Sequence, residues 1–581
     1  MNDFRFSPRP NRAADIGWMP WGTEAFDRAR AEGKPILLSI SAVWCHWCHV
    51  MDETSYSDSG VIDAINRQFV PVRVDNDRRP DVNARYNMGG WPTTAFLAPD
   101  GTTLTGATYL PPQQMRRALD EIAQFYAERK DEIAQRSGEL RARAAEAALP
   151  GVAELSDAPI AEFVDQLERA YDEEYGGFGD APKFPQPEAL ELLLSEWRLA
   201  SNQRLYDMVA KTMLAMARGG MYDHVEGGFF RYSTTRDWSV PHFEKMAEDH
   251  AGLLRVLATL VIFAPTREFH ETLTSAASYV RHVLRDPQTG FYGGSQDADE
   301  AYYELPLQER RRRPSPYVDR TSYTNWTCAL AGAQCLAARA LDDDAMLREA
   351  LTTLDNVGHR LIGEDGVLYH VLAPGEIPEV RGLLTDHVAY FRALLDAHEI
   401  SGKAPLLDRA RTLCERVIEK FEASDGGFYD RIPGNEALGR LSLPDRPIVE
   451  NGILAESFLR LSALTGETRY REHAVPLLQR FAPKARASGP FAATYCRALR
   501  RYLLPELTVR IVGEPSSTDA FREAALRLPS PVVTIRTLAP RDAVQLALPP
   551  EAAAYVCVTG TCGAPVREPG ALRDAYDALA G

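Results

Sequence analysis

The chain has 581 residues, of which 45% are hydrophobic and 25% are charged, the mixture of an ordinary globular protein. This composition excludes global disorder, and the length predicts about three to four domains at roughly 150 residues each. With 65 basic and 81 acidic residues the net charge is −16, which argues against a nucleic acid or an anionic membrane as the main partner.

No stretch of the sequence is typical of export or membrane insertion. The most apolar segment, around residues 253–263, contains Arg255 and is too short to cross a bilayer. The first twenty residues lack the apolar core of a signal peptide. Eight cysteines are too few for a secreted disulfide scaffold, so we expect a cytoplasmic protein in which a close cysteine pair carries chemistry.

Residues 1–148 alternate short apolar runs with helical patterns. Helices are predicted at 23–32, 45–66, 81–87 and 111–148, and strands at 35–42, 69–75, 93–98 and 102–108. The turn Pro99-Asp100-Gly101 joins the last two strands as a hairpin. This order of elements indicates a mixed α/β sheet closed by a long helix.

Residues 149–505 are almost entirely helical. Twelve predicted helices fall into six pairs, and a glycine-containing loop follows the first helix of each pair. These loops begin at Gly176, Gly227, Gly290, Gly366, Gly426 and Gly489. The repeats are longer and less regular than those of solenoids, so we expect the pairs to close into a ring whose loops surround a central pocket.

Residues 506–581 return to strand-like runs and predict a small α/β domain. Cys557 and Cys562 lie in this part, and we interpret them as a buried strand cysteine and a turn cysteine, in preference to a second redox pair. Four further cysteines lie in helical patterns and are predicted to be core residues: Cys328, Cys335, Cys414 and Cys496.

The strongest chemical signal is the segment Trp44-Cys45-His46-Trp47-Cys48-His49, between a predicted strand and a predicted helix. This position puts the first sulfur at a helix N-terminus, where the helix dipole favours a thiolate. The second sulfur lies one helical turn away and can close a disulfide. We therefore predict Cys45 as the attacking and Cys48 as the resolving cysteine of thiol–disulfide exchange.

Three other interpretations of this motif stay open. The string also matches the attachment pattern of a c-type haem, but the chain lacks the export route that haem attachment requires. Zinc binding normally requires a second ligand pair nearby, and the sequence shows none. A purely structural cysteine pair is the third alternative. We expect no cofactor and no metal, and burial of the two sulfurs in apolar packing would argue against redox chemistry.

A second feature supports the redox interpretation. Trp91-Pro92 stands directly before a predicted strand, and a cis-proline at this point would present backbone beside the sulfurs for a client peptide. The residues around the cysteines that we predict to bind substrate are Trp44, His46, Trp47, His49, Trp91 and Pro92.

Several segments together resemble the spermatogenesis-associated thioredoxin-like proteins, including their bacterial members. The segments are Gly17–Gly22, Lys34–Ile40, Cys45–Met51, Val72–Asp75, Gly90–Thr93, Gly220–His224, Gly227–Tyr232 and Trp238–Met246. The resemblance implies a thioredoxin-like domain at 1–148 and an (α/α)6 toroid at 149–505 similar to six-hairpin glycosidases and N-acylglucosamine 2-epimerases. A small C-terminal α/β domain at 506–581 completes the expected fold class, α/β plus all-α.

The sequence departs from the thioredoxin pattern at three points. Ser39 occupies the position where thioredoxins carry a buried acid, so proton transfer would need Asp52, Glu53 or a histidine. The residues after Met246 differ from the expected apolar-aromatic pattern. The run Arg310-Arg-Arg-Arg313 is predicted to be a solvated loop.

The starts of the second helices of the pairs are rich in polar and aromatic residues. Each one alone is a typical helix cap or core group, but together on one rim they predict a pocket. The predicted substrate-binding residues of the toroid are Phe184, Asp223, His224, Trp238, His242, Phe243, Glu244, Asp249, Trp326, Asp386, His387 and Glu450.

Three hypotheses follow for the function. The first is a thiol–disulfide oxidoreductase whose toroid holds a partner, either a protein thiol or disulfide or a small carbohydrate-like molecule. The second is a sugar hydrolase or epimerase with an accessory thioredoxin-like domain, for which rim carboxylates and histidines would supply acid and base. The third is a non-catalytic scaffold.

Overall fold

A four-stranded sheet with helices on both faces forms the N-terminal part of the protein, in a computed structural model that describes residues 4–146, 151–443 and 445–580. Its elements are α1 (Thr23–Glu32), β1 (Ile36–Ser41), α2 (His46–Glu53), α3 (Ser59–Gln68), β2 (Val70–Asp75), α4 (Pro80–Tyr86), β3 (Thr93–Leu97), β4 (Thr103–Ala107), α5 (Pro112–Glu128) and α6 (Lys130–Glu146). The strand order is β2-β1-β3-β4, with β1 and β2 parallel and the other pairs antiparallel. This confirms the thioredoxin-like domain.

Two predicted helices of this domain are in fact broken. The predicted helix 45–66 divides into α2 and α3, because Thr54 bonds back to the Val50 carbonyl and Asp58 caps a new helix through the Val61 N–H at 3.0 Å. The predicted helix 111–148 divides into α5 and α6 at Arg129, and its predicted end lies outside the described residues. The domain boundaries therefore stay predictions.

Twelve long helices build the middle part, as predicted. Six form an inner ring: α8 (Pro187–Ala200), α10 (Ala247–Phe263), α14 (Thr324–Ala340), α16 (Leu384–Ser401), α18 (Ile448–Thr465) and α20 (Ala493–Leu503). Six lie outside them: α7 (Ala158–Ala170), α9 (Gln203–Arg218), α11 (Arg267–Tyr279), α15 (Asp344–Arg360), α17 (Ala404–Phe421) and α19 (Arg469–Ala485). Each inner helix packs on the next, and α20 packs on α8, so the ring is closed. This confirms the (α/α)6 toroid.

Short elements connect the helices on the loop side of the toroid. The two short helices are α12 (Glu300–Tyr303) and α13 (Leu307–Arg310), and the strands are β5 (Tyr232–Ser233), β6 (Pro241–His242), β7 (Lys245–Met246), β8 (Ser295–Gln296), β9 (Val318–Asp319), β10 (Ser322–Tyr323), β11 (Tyr369–Leu372) and β12 (Glu379–Arg381). After five of the outer helices, the glycine loop is closed by an isolated antiparallel β-bridge. The pairing of Tyr171 with Phe178 is one example. The inner helices begin on this side.

Ion pairs form a layer across the interior of the toroid. Arg392 bonds Glu191 at 2.8 Å, Arg460 bonds Asp396 at 2.8 Å, and Arg255 also pairs with Asp396. Glu191 and Arg392 line a cavity on each side of this layer. The layer therefore separates the loop side of the ring interior from the side where the inner helices end.

The C-terminal part repeats the topology of the N-terminal sheet. Its elements are β13 (Leu507–Val512), α21 (Pro515–Leu526), β14 (Val533–Leu538), α22 (Pro540–Gln545), β15 (Ala553–Val558), β16 (Thr561–Cys562) and α23 (Leu572–Ala580). The strand order β14-β13-β15-β16, with β13 and β14 parallel and the others antiparallel, matches β2-β1-β3-β4. The predicted α/β domain is thus a second sheet of the same design, and neither of its two cysteines lies after its first strand.

Cys557 is a buried strand cysteine, as we interpreted it, but Cys562 lies on strand β16 and not in the turn. Cys557 and Cys562 are directly opposed on the antiparallel strands β15 and β16, and their sulfurs form a disulfide with Cα atoms 3.9 Å apart. The short turn between the strands brings the two residues into register, which the spacing alone does not reveal. Cys328, Cys335, Cys414 and Cys496 are buried and free, as predicted.

The two sheet domains contact opposite ends of the toroid. The N-terminal domain meets its loop side, where Arg85 pairs with Asp430 at 2.8 Å and Asp81 with Arg431 at 3.0 Å. The C-terminal domain meets the ends of the inner helices, where Arg198 donates to the Leu528 carbonyl at 3.0 Å. The redox motif of the N-terminal domain therefore faces the open side of the ring interior.

Candidate functional site

The cysteine pair lies where strand β1 leads into helix α2. Cys45 is the residue before the helix, and the backbone N–H of Cys48 donates to its sulfur at 3.1 Å. The two sulfurs form a disulfide, and their Cα atoms are 5.2 Å apart. The predicted position at a helix N-terminus is confirmed, and the helix dipole there favours a Cys45 thiolate once the bond is reduced.

The toroid covers this disulfide. Cys45 is 4% exposed and Cys48 is 2% exposed, and both belong to an apolar cluster that includes Trp44 and the toroid residues Met246 and Trp326. The sulfurs are therefore joined as predicted, but they are enclosed in apolar packing between two domains, which is the arrangement that we expected to argue against redox chemistry. We call this cluster, together with Trp91 and Arg231, the interdomain site.

The residues between and after the cysteines differ in exposure. Trp47 is 51% exposed and packs on Tyr109, and His46 is also exposed. Burial and the nearby Arg9 lower the pKa of His46. His49 is buried, and this burial lowers its pKa. His46 is thus the one of these two imidazoles that solvent reaches.

Trp44 and Trp91 form the aromatic wall of the interdomain site. Their rings meet edge to face at 5.4 Å, and the Trp91-Pro92 peptide bond is cis. The Trp44 indole donates to an Asp77 carboxyl oxygen at 2.7 Å. Burial and the neighbouring Asp75 raise the pKa of Asp77 well above its usual value.

The toroid contributes polar groups to the same place. The Arg231 guanidinium lies 4.0 Å from the centre of the Trp44 ring and 5.4 Å from that of Trp91. It is 3.6 Å from the Glu244 carboxylate, and His242 is 3.1 Å from the other oxygen of that carboxylate. Glu244 is 2% exposed, and its Oε2 has no hydrogen-bond partner among the described residues.

Two of the acids that we considered for proton transfer are bound elsewhere. Both oxygens of Asp52 accept from Arg73, at 2.9 and 3.0 Å, and Glu53 pairs with Arg9 at 2.8 Å. Ser39 is buried, and its hydroxyl has no partner in the described part of the chain. His46 and the toroid residue Glu244 are therefore the titratable groups best situated beside the pair.

An aromatic stack leads from the rim of the toroid to this site. Phe184, 44% exposed, stacks on Tyr232 at 4.8 Å, and Tyr232 stacks on His242 at 4.9 Å. Phe243, by contrast, points into a separate cluster with Phe230 and Tyr303. The structure thus brings Phe184 and His242 together and directs Phe243 elsewhere.

Asp223, which we expected in the substrate pocket, is buried among cations. Lys245 and Arg310 each bond it at 2.8 Å, and although burial alone would raise the pKa of Asp223, these cations hold it below its usual value. Our interpretation of Arg310 as solvated is wrong, because it also pairs with Glu226 at 3.0 Å and is buried. The following residues 311–313 are exposed, as predicted.

Two further predicted residues, Trp238 and His224, hold loops of the toroid. Trp238 is fully buried, donates to the Tyr175 carbonyl at 3.1 Å and packs against Gly177, whose φ of +77° favours glycine. His224 contacts the Gly219 carbonyl at 3.1 Å through Nε2.

His387 uses both ring nitrogens within the toroid. Nδ1 donates to the Leu383 carbonyl at 2.7 Å and Nε2 accepts from the Leu368 N–H at 3.1 Å. His250 makes the same two bonds at the start of α10, and burial lowers the pKa of both histidines. This arrangement fixes a glycine loop and leaves no nitrogen of His387 for a ligand.

Asp386 belongs to a contact between the domains. Its carboxylate accepts from His370 Nδ1 at 2.8 Å, and His370 Nε2 donates to the Asp77 carbonyl at 2.8 Å. Burial alone would lower the pKa of His370, but the Asp386 carboxylate outweighs it and raises that pKa. Asp386 therefore holds an imidazole against the loop that carries Asp77.

Two adjoining cavities occupy the loop side of the ring. The central cavity, of about 170 Å³, is lined by Trp326 among others, and the rim pocket, of about 570 Å³, by Phe184, Asp249 and Phe491. Three carboxylates line both: Glu188, Glu248 and Glu450. Asp249, Trp326 and Glu450 thus line the pocket that we expected inside the ring, whereas Glu244 lines neither cavity.

Sequence reasoning missed three residues of this region: Arg231, Met246 and His370. Arg231 and Met246 fall inside segments that carry the family resemblance, but nothing in their own pattern indicates a position beside the cysteines. The contact of His370 with Asp77 was also missed, because it joins positions far apart in the chain.

Comparison with known proteins finds a matching family model and several relatives that align over most of the chain. A family model named Thioredox_DsbH, with the description "Protein of unknown function, DUF255", matches residues 9–145. Spermatogenesis-associated protein 20 of Homo sapiens is 27% identical, over 96% of this chain and 89% of the human protein. The chain is thus similar over most of its length to spermatogenesis-associated protein 20.

Other proteins resemble parts of this chain. Thiol:disulfide interchange protein DsbD of Pseudomonas fluorescens is 32% identical over 81 residues, 13% of this chain and 14% of DsbD. The cellobiose 2-epimerase of Spirochaeta thermophila aligns with a TM-score of 0.47 at 15% identity, over 63% of this chain and 99% of the epimerase. No helix within the described ranges is both long and apolar enough to cross a bilayer.

Proposed function

We propose that the protein is a thiol–disulfide oxidoreductase and that Cys45 and Cys48 are its redox pair. The observation that carries this proposal is the Cys45 sulfur, which caps helix α2 and accepts from the Cys48 N–H. Such a sulfur is stabilised as a thiolate, the form that attacks disulfides. The local similarity to a protein named for thiol:disulfide interchange supports the same chemistry.

The proposed exchange balances with a thiol as the only co-reactant. A substrate thiolate attacks the Cys45 sulfur, the bond to Cys48 breaks, and the Cys48 thiolate takes up a proton. A second substrate thiolate then attacks the substrate sulfur of the mixed disulfide and releases the Cys45 thiolate. Two thiols thereby become one disulfide, and the enzyme disulfide becomes a dithiol; the reverse sequence reduces a substrate disulfide.

A redox titration tests the proposal. The folded protein is equilibrated with dithiothreitol buffers, its thiols are trapped with a maleimide, and peptides are assigned by mass spectrometry. We expect Cys45 and Cys48 to titrate together at about −270 to −120 mV, the range of thioredoxin-type proteins. The Cys45→Ser variant abolishes the two-electron transition, whereas the matched core variant Cys414→Ser leaves it intact. A pair that stays oxidised in the folded protein at every potential contradicts the proposal.

A second candidate function is a carbohydrate-active enzyme, and the rim pocket is the observation that favours it. Its volume of about 570 Å³ suits a small polar ligand, and Phe184 and Phe491 offer faces for stacking on a sugar ring. Burial raises the pKa of Asp249 to about 8 and that of Glu450 to about 7, which suits general acids near neutral pH.

A substrate screen tests this second function. Oligosaccharides, uronides and acylated amino sugars are incubated with the wild type and with Glu450→Gln, and products are resolved by chromatography. Turnover that disappears in Glu450→Gln supports the second function, and absence of turnover across the screen contradicts it.

A further inference from the structure

The covered position of the redox pair restricts what can react with it. In the thioredoxin-like fold a client peptide would add beside Pro92, but Trp91 at this point lies under Arg231 of the toroid. Met246 and Trp326 cover the disulfide from the same side. A folded protein therefore cannot bring a cysteine to Cys45 while the toroid stays in its place.

A small molecule has a shorter route, because one residue separates the pair from the ring interior. Trp326 packs in the apolar cluster of the disulfide and also lines the central cavity. Met246, in the same cluster, is followed directly by Ala247, Glu248 and Asp249, and the last two line the rim pocket. The Trp326 side chain thus separates the disulfide from the central cavity, and it must turn aside before a ligand in the cavities can reach Cys45.

The rim pocket is connected to the same place by aromatic rings. Phe184 lines the pocket, and the stack that it begins ends at His242, beside the buried Glu244. In the rim pocket itself, the Asp249 Oδ2 atom is buried and has no hydrogen-bond partner among the described residues. A polar group of a bound molecule would satisfy it.

Acids outnumber basic residues in the lining of the two cavities. Glu188, Glu248 and Glu450 line both cavities and Asp249 lines the rim pocket, whereas Arg255 and Arg392 of the central cavity are paired with Asp396 and Glu191. An ammonium group would lower the cost of burying these carboxylates, whereas a carboxylate on the ligand would raise it. The cavity volume of about 570 Å³ admits a molecule of a few hundred daltons and excludes a protein loop with its flanking chain.

We infer that the substrate of Cys45–Cys48 is a low-molecular-weight aminothiol, or its disulfide, whose amino end occupies the carboxylate-lined ring cavities while its sulfur reaches Cys45. This inference rests on the proposed oxidoreductase function and names its substrate class. Two molecules of the aminothiol reduce the enzyme disulfide and leave as one small disulfide, or the reverse reaction oxidises the enzyme dithiol, so electrons and protons balance with the thiol alone.

Single-turnover kinetics of the pre-reduced protein test the inference. The probes are cystamine as a cationic small disulfide, glutathione disulfide as an anionic one, and insulin as a protein disulfide. Each rate constant is divided by that of dithiothreitol with the same disulfide, which removes intrinsic reactivity. We expect the normalised constant for cystamine to exceed that for glutathione disulfide at least tenfold and that for insulin at least hundredfold. A constant for insulin equal to that for cystamine overturns the small-molecule assignment, and one for glutathione disulfide equal to that for cystamine overturns the aminothiol assignment.

Variants of the cavity test the route. Ala329→Phe fills the central cavity and is expected to slow cystamine at least tenfold with an unchanged redox potential of the pair. Thr352→Phe, on the exposed face of the outer helix α15, is the matched control and keeps the wild-type rate. Glu248→Gln needs no new volume and should lower the preference for cystamine over glutathione disulfide at least threefold. Unchanged kinetics in both cavity variants overturn the route.

Failure of this inference differs from failure of the proposed function. A pair that dithiothreitol cannot reduce in the folded protein removes the oxidoreductase function itself. A pair that titrates normally but favours insulin removes only the aminothiol and leaves the oxidoreductase.

Discussion

The Arg231 guanidinium lies 4.0 Å from the centre of the Trp44 ring, so a side chain of the toroid rests on the residue that precedes the first cysteine of the pair. The same guanidinium is 3.6 Å from Glu244, which is buried. Arg231 therefore joins the two domains by a cation–π contact and balances a buried charge. The redox motif and the ring are one structural unit at this point.

Removal of the Arg231 charge should be costly because it leaves Glu244 without a cation. We expect Arg231→Met to lower the free energy of unfolding by about 3 kcal/mol. The double variant Arg231→Met, Glu244→Gln should recover most of this loss, since no buried charge then lacks a partner. Urea unfolding of the wild type, both single variants and the double variant measures the coupling. Additive losses in the double variant would show that the pair does not interact.

The contact between His370 and the Asp77 carbonyl should weaken at alkaline pH. The Asp386 carboxylate raises the pKa of His370 in the folded protein above the unfolded value of about 6.5. The charged imidazole therefore contributes stability that is fully present below about pH 6.5 and is lost as the pH rises through the folded pKa. Thermal melts from pH 6 to 9 should show this loss, and His370→Gln should remove it. The expectation is contradicted if the melting temperatures of the wild type and of His370→Gln change with pH in the same way over that range.

Much of the fold could be predicted because it follows local patterns. The buried strand β1, the turn at Pro99-Asp100-Gly101 and the helix pairs each depend on neighbours in sequence, and their bounds agree with prediction to within a few residues. The closed ring also follows from the six repeated glycine loops. The break after Glu53 was missed, because the Thr54 and Asp58 side chains there compete with helix continuation. The break at Arg129, whose backbone N–H bonds the Tyr126 carbonyl, was also missed.

The candidate site could be predicted only in part. Cys45 and Cys48 were found because their chemistry depends on a spacing of three residues. The toroid residues that cover the two cysteines were not predicted. Arg231 and Met246 approach from a different domain, and their local patterns are typical of a loop and of a core. The same limit applies to Asp223 and His387, whose partners are set by the tertiary packing of the toroid.

A repeated loop contact in the toroid predicts which substitution His387 tolerates. At the corresponding place in the next repeat, the Asn451 side chain accepts from the Phe428 N–H at 2.8 Å and donates to the Pro447 carbonyl at 2.8 Å. His387→Asn should therefore keep both hydrogen bonds and lower the free energy of unfolding by about 1 kcal/mol. His387→Leu leaves two buried backbone groups without hydrogen-bond partners and should lower it by about 2 to 5 kcal/mol. Chemical unfolding of the two variants compares them, and equal losses would count against the role of His387 as a loop clip.

The C-terminal disulfide should be independent of the redox pair. Cys557–Cys562 closes a short loop, so its removal by Cys557→Ala and Cys562→Ala should cost about 2 kcal/mol. The C-terminal domain meets the toroid at the end opposite to Cys45, so the redox potential of Cys45–Cys48 should not change. A shift of that potential in the double variant would reveal communication between the ends of the toroid.

Glu244 should set the rate of exchange at Cys45–Cys48, because Asp52 and Glu53, the two acids that follow the pair in the chain, are held by arginines. Ser39 stands at the position where thioredoxins carry a buried acid, and Asp52 is bound on both oxygens by Arg73. Reduction of the disulfide requires a proton for the departing Cys48 thiolate, and the Glu244 carboxylate, two residues before Met246 of the disulfide cluster, can pass one on from solvent. We expect Glu244→Gln to slow reduction about 100-fold, with the redox potential unchanged.

Stopped-flow kinetics with dithiothreitol, followed by the fluorescence of the tryptophans beside the disulfide, measures the effect of Glu244→Gln. Dithiothreitol is used here because its small size separates proton transfer from substrate recognition. Glu300→Gln, an exposed acid of the same toroid, is the matched control and should keep the wild-type rate. A rate that falls equally in Glu244→Gln and in Arg231→Met would indicate that Glu244 acts only on the packing of Arg231 over Trp44.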